Sequence, residues 1–180
     1  MTTTANAPKV SVRGADAPKT GTTIRVSSQS FRDGESISLE HVFTGSGGKN
    51  TAPQLSWSGA PEGTKSYAIT CFDPDAPTGC GYWHWVAFNI PAKVTSLDTG
   101  DGNGDSPGGG GSGFNDFGKT GYDGPDPPKG DGEHHYTFTV YALDVDKVGG
   151  ASGKTTGATL VFSMRGHVLA QGSITGRFGH

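Results

Sequence analysis

The 180-residue chain reads as an all-β domain: a two-sheet antiparallel Greek-key sandwich with one short C-terminal helix. Three observations predict this. Apolar and polar residues alternate with a period of two in several short runs, as half-buried strands require. No repeated βαβ alternation is visible and helix is confined to the C-terminal part, so a parallel sheet is not expected. Glycine and proline, 31 and 11 residues, punctuate the chain far above ordinary usage, which suits a loop-rich β protein. Recurrent aromatic and β-branched clusters argue against the disorder that such a composition otherwise implies.

Residues 1–22 are rich in Thr, Ala, Lys and Pro, lack periodicity and read as a flexible N-terminal tail ahead of one domain over 23–180. Ile24-Arg25-Val26 and Ser36-Ile37-Ser38-Leu39 alternate like strands, with a turn between them at Asp33-Gly34. After the Gly/Asn loop from Gly45 to Pro53, Gln54 to Trp57 alternates again, and a Pro/Gly turn follows over Ser58 to Thr64. Ser66 to Phe72, Trp83 to Ile90 and Tyr136 to Leu143 are longer apolar runs that suit central strands. The Gly/Asp/Pro-rich stretch from Thr99 to Asp131 contains Phe114, Phe117 and Tyr122 as anchors. It reads as an ordered, pocket-forming excursion with Gly108 to Gly111 as its flexible part. Leu160, Val161, Met164 and Val168 share one face of a helix over about 157–169, which Gly166 weakens. Ser173-Ile174-Thr175 reads as a final strand.

Composition excludes several function classes. The net charge is −3 and the pI about 6.0, with no basic run, so the concentrated cationic face that nucleic acid requires is missing. No stretch approaches the roughly 20 apolar residues of a bilayer span, so no membrane insertion is expected. The N-terminus shows no charged region followed by an apolar one, which makes cytoplasmic residence the expectation. Two cysteines, Cys71 and Cys80, are too few for a disulfide framework. They read as one buried and one loop thiol, with a conditional disulfide as the alternative. Cys/His metal spacing is absent, and no metal or other cofactor is expected.

Three polar clusters stand at the ends of the three strongest strands. Asp73-Pro74-Asp75-Ala76-Pro77 follows the first run. The residue before proline is pushed into extended backbone, and two carboxylates two residues apart are expected to point to one side. The same segment also reads as a Pro-rich turn with Asx caps. In Tyr82-Trp83-His84-Trp85, alternation places His84 opposite both tryptophans, where an imidazole needs a partner or a cavity; a core histidine bonded to a carbonyl is the alternative. Gly124-Pro125-Asp126-Pro127-Pro128-Lys129-Gly130-Asp131-Gly132-Glu133-His134-His135-Tyr136 joins a stiff segment to a flexible one. His134 and Tyr136 then share a strand face, with His135 opposite, unless this is only a proline loop and a surface histidine pair. Imidazole N–H, phenol O–H and free backbone N–H groups in glycine turns suit a phosphate or carboxylate. Neighbouring carboxylates would orient the imidazoles and favour their cations.

These segments, with Asn89-Ile90-Pro91, resemble the phosphatidylethanolamine-binding protein family. Asn115-Asp116-Phe117-Gly118-Lys119-Thr120-Gly121-Tyr122 and Gly166-His167-Val168-Leu169-Ala170 resemble its prokaryotic Raf-kinase-inhibitor-like branch. The resemblance runs from about Ile24 to Phe178. It implies a two-sheet fold and a pocket for phosphate, acetate, cacodylate or a phosphoethanolamine head group. By motif position Asp73, His84, His134 and Tyr136 would bind, Pro127 and Pro128 would form the wall, and Gly132 would stand in the adjoining turn. Asp75 would support the site and Tyr82 would line the mouth. The family's third cluster reads His-Arg-Tyr, so His135 here replaces an arginine, and its pairing with a carboxylate is expected only on protonation. Tyr82 stands where the family often has tryptophan.

The expected function is noncatalytic binding of a small anion or phosphorylated head group, with a regulatory or scaffolding role and no catalytic residue. The alternatives are a serine protease or kinase inhibitor acting through the 100–130 surface, and a weak hydrolase using the Asp/His pocket. The expected partners are the small anion, a protease or kinase, and, as in many prokaryotic relatives, a second copy of the chain.

Overall fold

A computed structural model describes residues 19–180. Among these residues the chain forms β1 (Arg25–Ser27), β2 (Leu55–Ser58), β3 (Ser66–Asp73), β4 (Tyr82–Pro91), β5 (Ser96–Leu97), β6 (Gly111–Ser112), β7 (His134–Leu143), α1 (Gly157–Ser163) and β8 (Val168–Phe178). The strands make two antiparallel sheets, one in the order β1-β2-β5 and the other in the order β6-β4-β3-β7-β8. The fold class is the expected all-β one, with a single short helix. The three strongest alternating runs are the three central neighbours of the larger sheet.

Alternation along these strands builds two apolar layers. Tyr67, Ile69 and Cys71 of β3, Trp85 and Ala87 of β4, and Phe138, Val140 and Ala142 of β7 face the smaller sheet, where they meet Leu55, Trp57 and Leu97. The opposite face carries Ala68, Val86, Phe88, Tyr141 and Leu143, which α1 covers with Leu160, Val161 and Met164. Thr156 caps α1 by accepting from the Thr159 N–H at 3.3 Å. The helix is shorter than the pattern over 157–169 suggests. Gly166 adopts φ 76° and turns the chain, and Val168 belongs to the same apolar cluster while already starting β8.

The long outer edge of β8 is covered. The N–H groups of Ile24, Gly34 and Ile37 donate to the carbonyls of Gln171, Thr175 and Arg177 at 3.0, 2.7 and 2.8 Å. Ser36 to Leu39 therefore contributes one bridge, Ser36 to Arg177, rather than a strand. Such coverage removes a template for edge-to-edge association. Of the expected tail, residues 1–18 lie outside the described residues, whereas the N–H groups of Lys19 and Thr20 donate to the Val168 and Leu169 carbonyls at 3.2 and 3.3 Å.

The Thr99–Asp131 excursion is built as an ordered segment, with Tyr122 buried. Gly108 to Gly111, the part expected to be flexible, is packed against β4: a Cβ on Gly110 would overlap the Phe88 carbonyl, and Gly111 pairs with Phe88. Cys71 is buried and Cys80 exposed, both as free thiols. No helix among the described residues is long and apolar enough to cross a membrane.

Candidate functional site

Proline sets the first corner of the site. Pro74 has no N–H to continue the ladder, so β3 stops at Asp73 and the chain turns. Asp73 is 2% exposed and both of its oxygens are engaged. Oδ1 accepts from the Asp75 N–H and Oδ2 from His134 Nδ1–H, each at 2.8 Å. Asp75 takes the other side of the sheet, where its Oδ2 accepts from the His135 N–H at 2.8 Å and from His135 Nδ1–H at 2.7 Å. The two carboxylates thus diverge rather than share a side, because consecutive residues of β7 face opposite ways and each histidine takes its own aspartate. The His135 contact also corrects the expectation of a pairing that needs protonation. A backbone N–H holds Asp75 whatever the charge on the ring, and a neutral imidazole donates from Nδ1 as well.

The second corner is a β-bulge. Cys71 pairs with Trp85 and Phe72 with Trp83, leaving His84 as the extra residue of β4. The bulge reverses the expected alternation. Trp85 enters the core between the sheets, whereas Trp83 packs against the cluster beneath α1. Backbone groups around the bulge are satisfied by the long excursion. Trp83 N–H donates to Asp116 Oδ2 at 2.7 Å, Asp116 N–H to the Trp83 carbonyl at 2.8 Å, and Asp123 N–H to the His84 carbonyl at 3.0 Å. In return His84 Nδ1–H donates to the carbonyls of Asp123 and Gly124, at 2.9 and 3.1 Å. Carbonyls only accept, so Nδ1 carries the proton and Nε2 remains for a ligand. Burial pushes the His84 pKa below that of free imidazole, against the opposing pull of these carbonyls and of Asp73.

The excursion is itself pinned by a buried carboxylate. Asp123 accepts from Asn50 Nδ2 at 2.8 Å, Asn115 Nδ2 at 2.7 Å and Lys119 Nζ at 2.9 Å. Asn50, at φ 57°, also accepts the Gly124 N–H at 2.7 Å. Sequence reasoning did not assign this network to the site, and nothing local to any one of its members marks it.

These corners surround a cavity of about 240 Å³. Of the residues expected there, Asp73, Tyr82, His84, Pro127, Pro128 and His134 line it. Tyr136 lies behind them, fully buried, with its ring edge-on to His84 at 5.1 Å. Its hydroxyl finds no hydrogen-bond partner among the described residues, and burial pushes its pKa up. Gly132 lies outside the lining, in an exposed turn at φ 87°, and Asp75 and His135 pair on the other side of the sheet. The lining also includes Ala76, Pro77, Thr78, Phe117 and Asp126, which sequence reasoning did not place in the site. Phe117 was recognisable as an anchor. It meets Tyr82 and His84 edge-on at 5.1 and 5.5 Å, closing one wall. Among the described residues no group of three or more His, Cys, Asp and Glu side chains could hold a metal ion.

Comparison with known proteins places this architecture. Residues 27–179 match the family described as phosphatidylethanolamine-binding protein. The UPF0098 protein YbhB of Escherichia coli is 46% identical over 159 residues, covering 86% of this chain and 99% of YbhB. The crystal structure of Escherichia coli YbcL, a member of the mammalian PEBP family, superposes with a TM-score of 0.83 at 44% identity, covering 87% of this chain and 98% of YbcL. A phosphatidylethanolamine-binding protein homologue of Chlamydia trachomatis, CT736, gives 0.76 at 29% identity, covering 88% and 98% of the two chains. The bulged histidine, the proline-ended strand and the paired sheets therefore belong to a prokaryotic member of the phosphatidylethanolamine-binding protein family.

Proposed function

We propose that this chain is a noncatalytic binding protein whose cavity takes a small oxyanion, phosphate or a phosphorylated head group, and whose role is regulatory or scaffolding. The observation that carries this reading is the matched setting of two imidazoles. His84 and His134 line one cavity, and each commits Nδ1–H to a fixed acceptor, leaving Nε2 for the occupant. Buried orienting partners of this kind fix the tautomer and the direction of each ring. Asp73 acts through His134 as a positioning residue, since both of its oxygens are already engaged.

Size and chemistry support the same reading. A cavity of about 240 Å³ suits a head group and leaves little room for acyl chains. The lining offers no activated nucleophile. Thr78 Oγ1–H donates to the Gly81 carbonyl at 2.6 Å, so its hydroxyl faces an acceptor that cannot take the proton.

Titration with inorganic phosphate, followed by amide NMR shifts and calorimetry, tests the proposal. Saturable shifts centred on His84, His134 and Tyr82, abolished by His134→Ala, are expected. Absence of binding, or binding unchanged by His134→Ala and His84→Ala, would overturn it.

A further inference from the structure

The cavity has an uncommon charge inventory for an anion site. Among the described residues no lysine or arginine lines it, whereas the carboxylates of Asp73 and Asp126 do. Asp73 is fully engaged by Asp75 and His134, and Asp126 Oδ1 accepts from Ser46 Oγ–H at 2.7 Å. The groups facing His84 are Asp73 from β3, His134 and Tyr136 from β7, Tyr82 on its own strand, and the Asp123 carbonyl and Asp126 from the excursion. The Asp123 carboxylate is balanced by Lys119 at 2.9 Å. Among the described residues, therefore, no fixed cation offsets an incoming oxyanion.

The missing charge must come from an imidazole. His84 cannot turn its existing N–H toward the cavity without abandoning two carbonyls. A neutral Nε2 presents a lone pair, which repels an oxyanion's lone pairs, while the protonated ring presents a charged donor. His134 differs: its Nδ1–H already faces the Asp73 carboxylate, and Asp131 Oδ2 stands 3.7 Å from its Nε2. Accepting the anion-binding reading above, we propose that the cavity takes up an oxyanion together with one solvent proton, which comes to rest on Nε2 of His84. Burial keeps the empty site unprotonated near neutral pH, and an anion within hydrogen-bond reach reverses that preference. The Nε2–H bond that forms uses a proton released by the buffer, and the resulting imidazolium offsets one negative charge of the bound ion.

Sulfate is the discriminating probe because it does not itself titrate near neutrality, unlike inorganic phosphate. Calorimetry of wild-type protein with each ion, in two buffers of different ionisation enthalpy, should report about one proton taken up per sulfate at about pH 7.5. Affinity should fall about tenfold per pH unit between the low proton affinity of the empty site and the raised one of the occupied site. Imidazole ¹⁵N spectra should show His84 Nε2 becoming protonated as sulfate is added, and His84→Gln should render any residual binding heat independent of buffer. Binding of both ions with no buffer dependence and no pH dependence would overturn the inference while leaving the anion site intact. So would binding of phosphate but not sulfate, since the ligand would then bring its own proton, and so would protonation of His134 in place of His84. Failure of both ions to bind at any pH would overturn both readings. The wild-type measurements decide the matter even if His84→Gln does not fold.

Discussion

The same chemical pair occurs twice, two residues apart, on opposite faces of one sheet. Asp73–His134 and Asp75–His135 use the last residue of β3 and the second residue of the turn after it, with consecutive histidines of β7, at 2.8 and 2.7 Å. In the first pair both side chains are 3% exposed, and in the second they are 34% and 40% exposed. Chemistry and distance are thus held nearly constant while solvent varies. The lesson is that solvent, rather than the contact itself, separates a group that defines a cavity from one that trims a strand end. Removing one member of a buried pair leaves the other without hydration or partner, whereas water replaces a lost exposed partner.

The largest expected effect tests the buried side. Asp73→Ala strands the His134 Nδ1–H and the Asp75 N–H together, and should destabilise by about 3–5 kcal/mol in urea unfolding. Phosphate binding should disappear with it. A loss below about 1 kcal/mol would erase the contrast between the two faces.

The next effect extends the comparison to a buried imidazole without a paired carboxylate of its own. The native His84 pKa lies below the unfolded value near 6.5, so the unfolded state binds more protons in acid. Stability from this residue is therefore complete above about pH 6.5 and is lost as pH falls toward the depressed native value, by at most about 1.4 kcal/mol per pH unit. Unfolding measured in urea from pH 7 downward should show this slope, and His84→Gln should flatten it. An unchanged slope in the variant would assign the acid sensitivity elsewhere.

What the sequence makes visible divides along the same physical line. The strands at 66–73, 82–91 and 134–143 are legible because each alternates densely between two apolar layers. Most of β8 is hidden because glycines occupy positions where a side chain would betray a strand. A Cβ on Gly172 would overlap the Ile24 carbonyl, and one on Gly176 the Ile37 side chain. The polar clusters at strand ends are legible by residue type, and nine of their members do line one cavity. The directions of their side chains are not. Nothing in Tyr82-Trp83-His84-Trp85 marks a bulge, since the extra residue is defined by register against β3. Nor does local pattern link Asn50 to Asp123, 73 residues away, although their contact holds the carbonyls that fix His84.

On the exposed face, Asp75→Ala should cost about 1 kcal/mol or less, because water can take over both His135 donors. Part of that effect should fade in added salt, as screening removes any Coulomb contribution and leaves the backbone hydrogen bond. A double-mutant cycle of Asp75→Ala with His135→Ala, run at low and high salt, separates the two contributions. A salt-insensitive coupling as large as that of Asp73 with His134 would show that burial is not the deciding variable.

The smallest effect belongs to a third aspartate–histidine pair, far from the cavity. Asp144 accepts from His167 Nδ1–H and from Lys19 Nζ, both at 2.8 Å, with the carboxylate 30% and the imidazole 47% exposed. Lys19 first, and His167 after it, hold the Asp144 pKa below the usual carboxylate value of 3.8. The stabilisation is therefore present above that value and disappears as pH falls through the lower native one. His167→Ala should change stability by less than about 0.5 kcal/mol, because Lys19 still balances the carboxylate and the imidazole was largely hydrated. Equilibrium unfolding of the variant at neutral pH checks it. A loss comparable to that of Asp73→Ala would mean that an exposed imidazole can hold a carboxylate as firmly as a buried one, and the ordering of the three pairs by solvent exposure would fail.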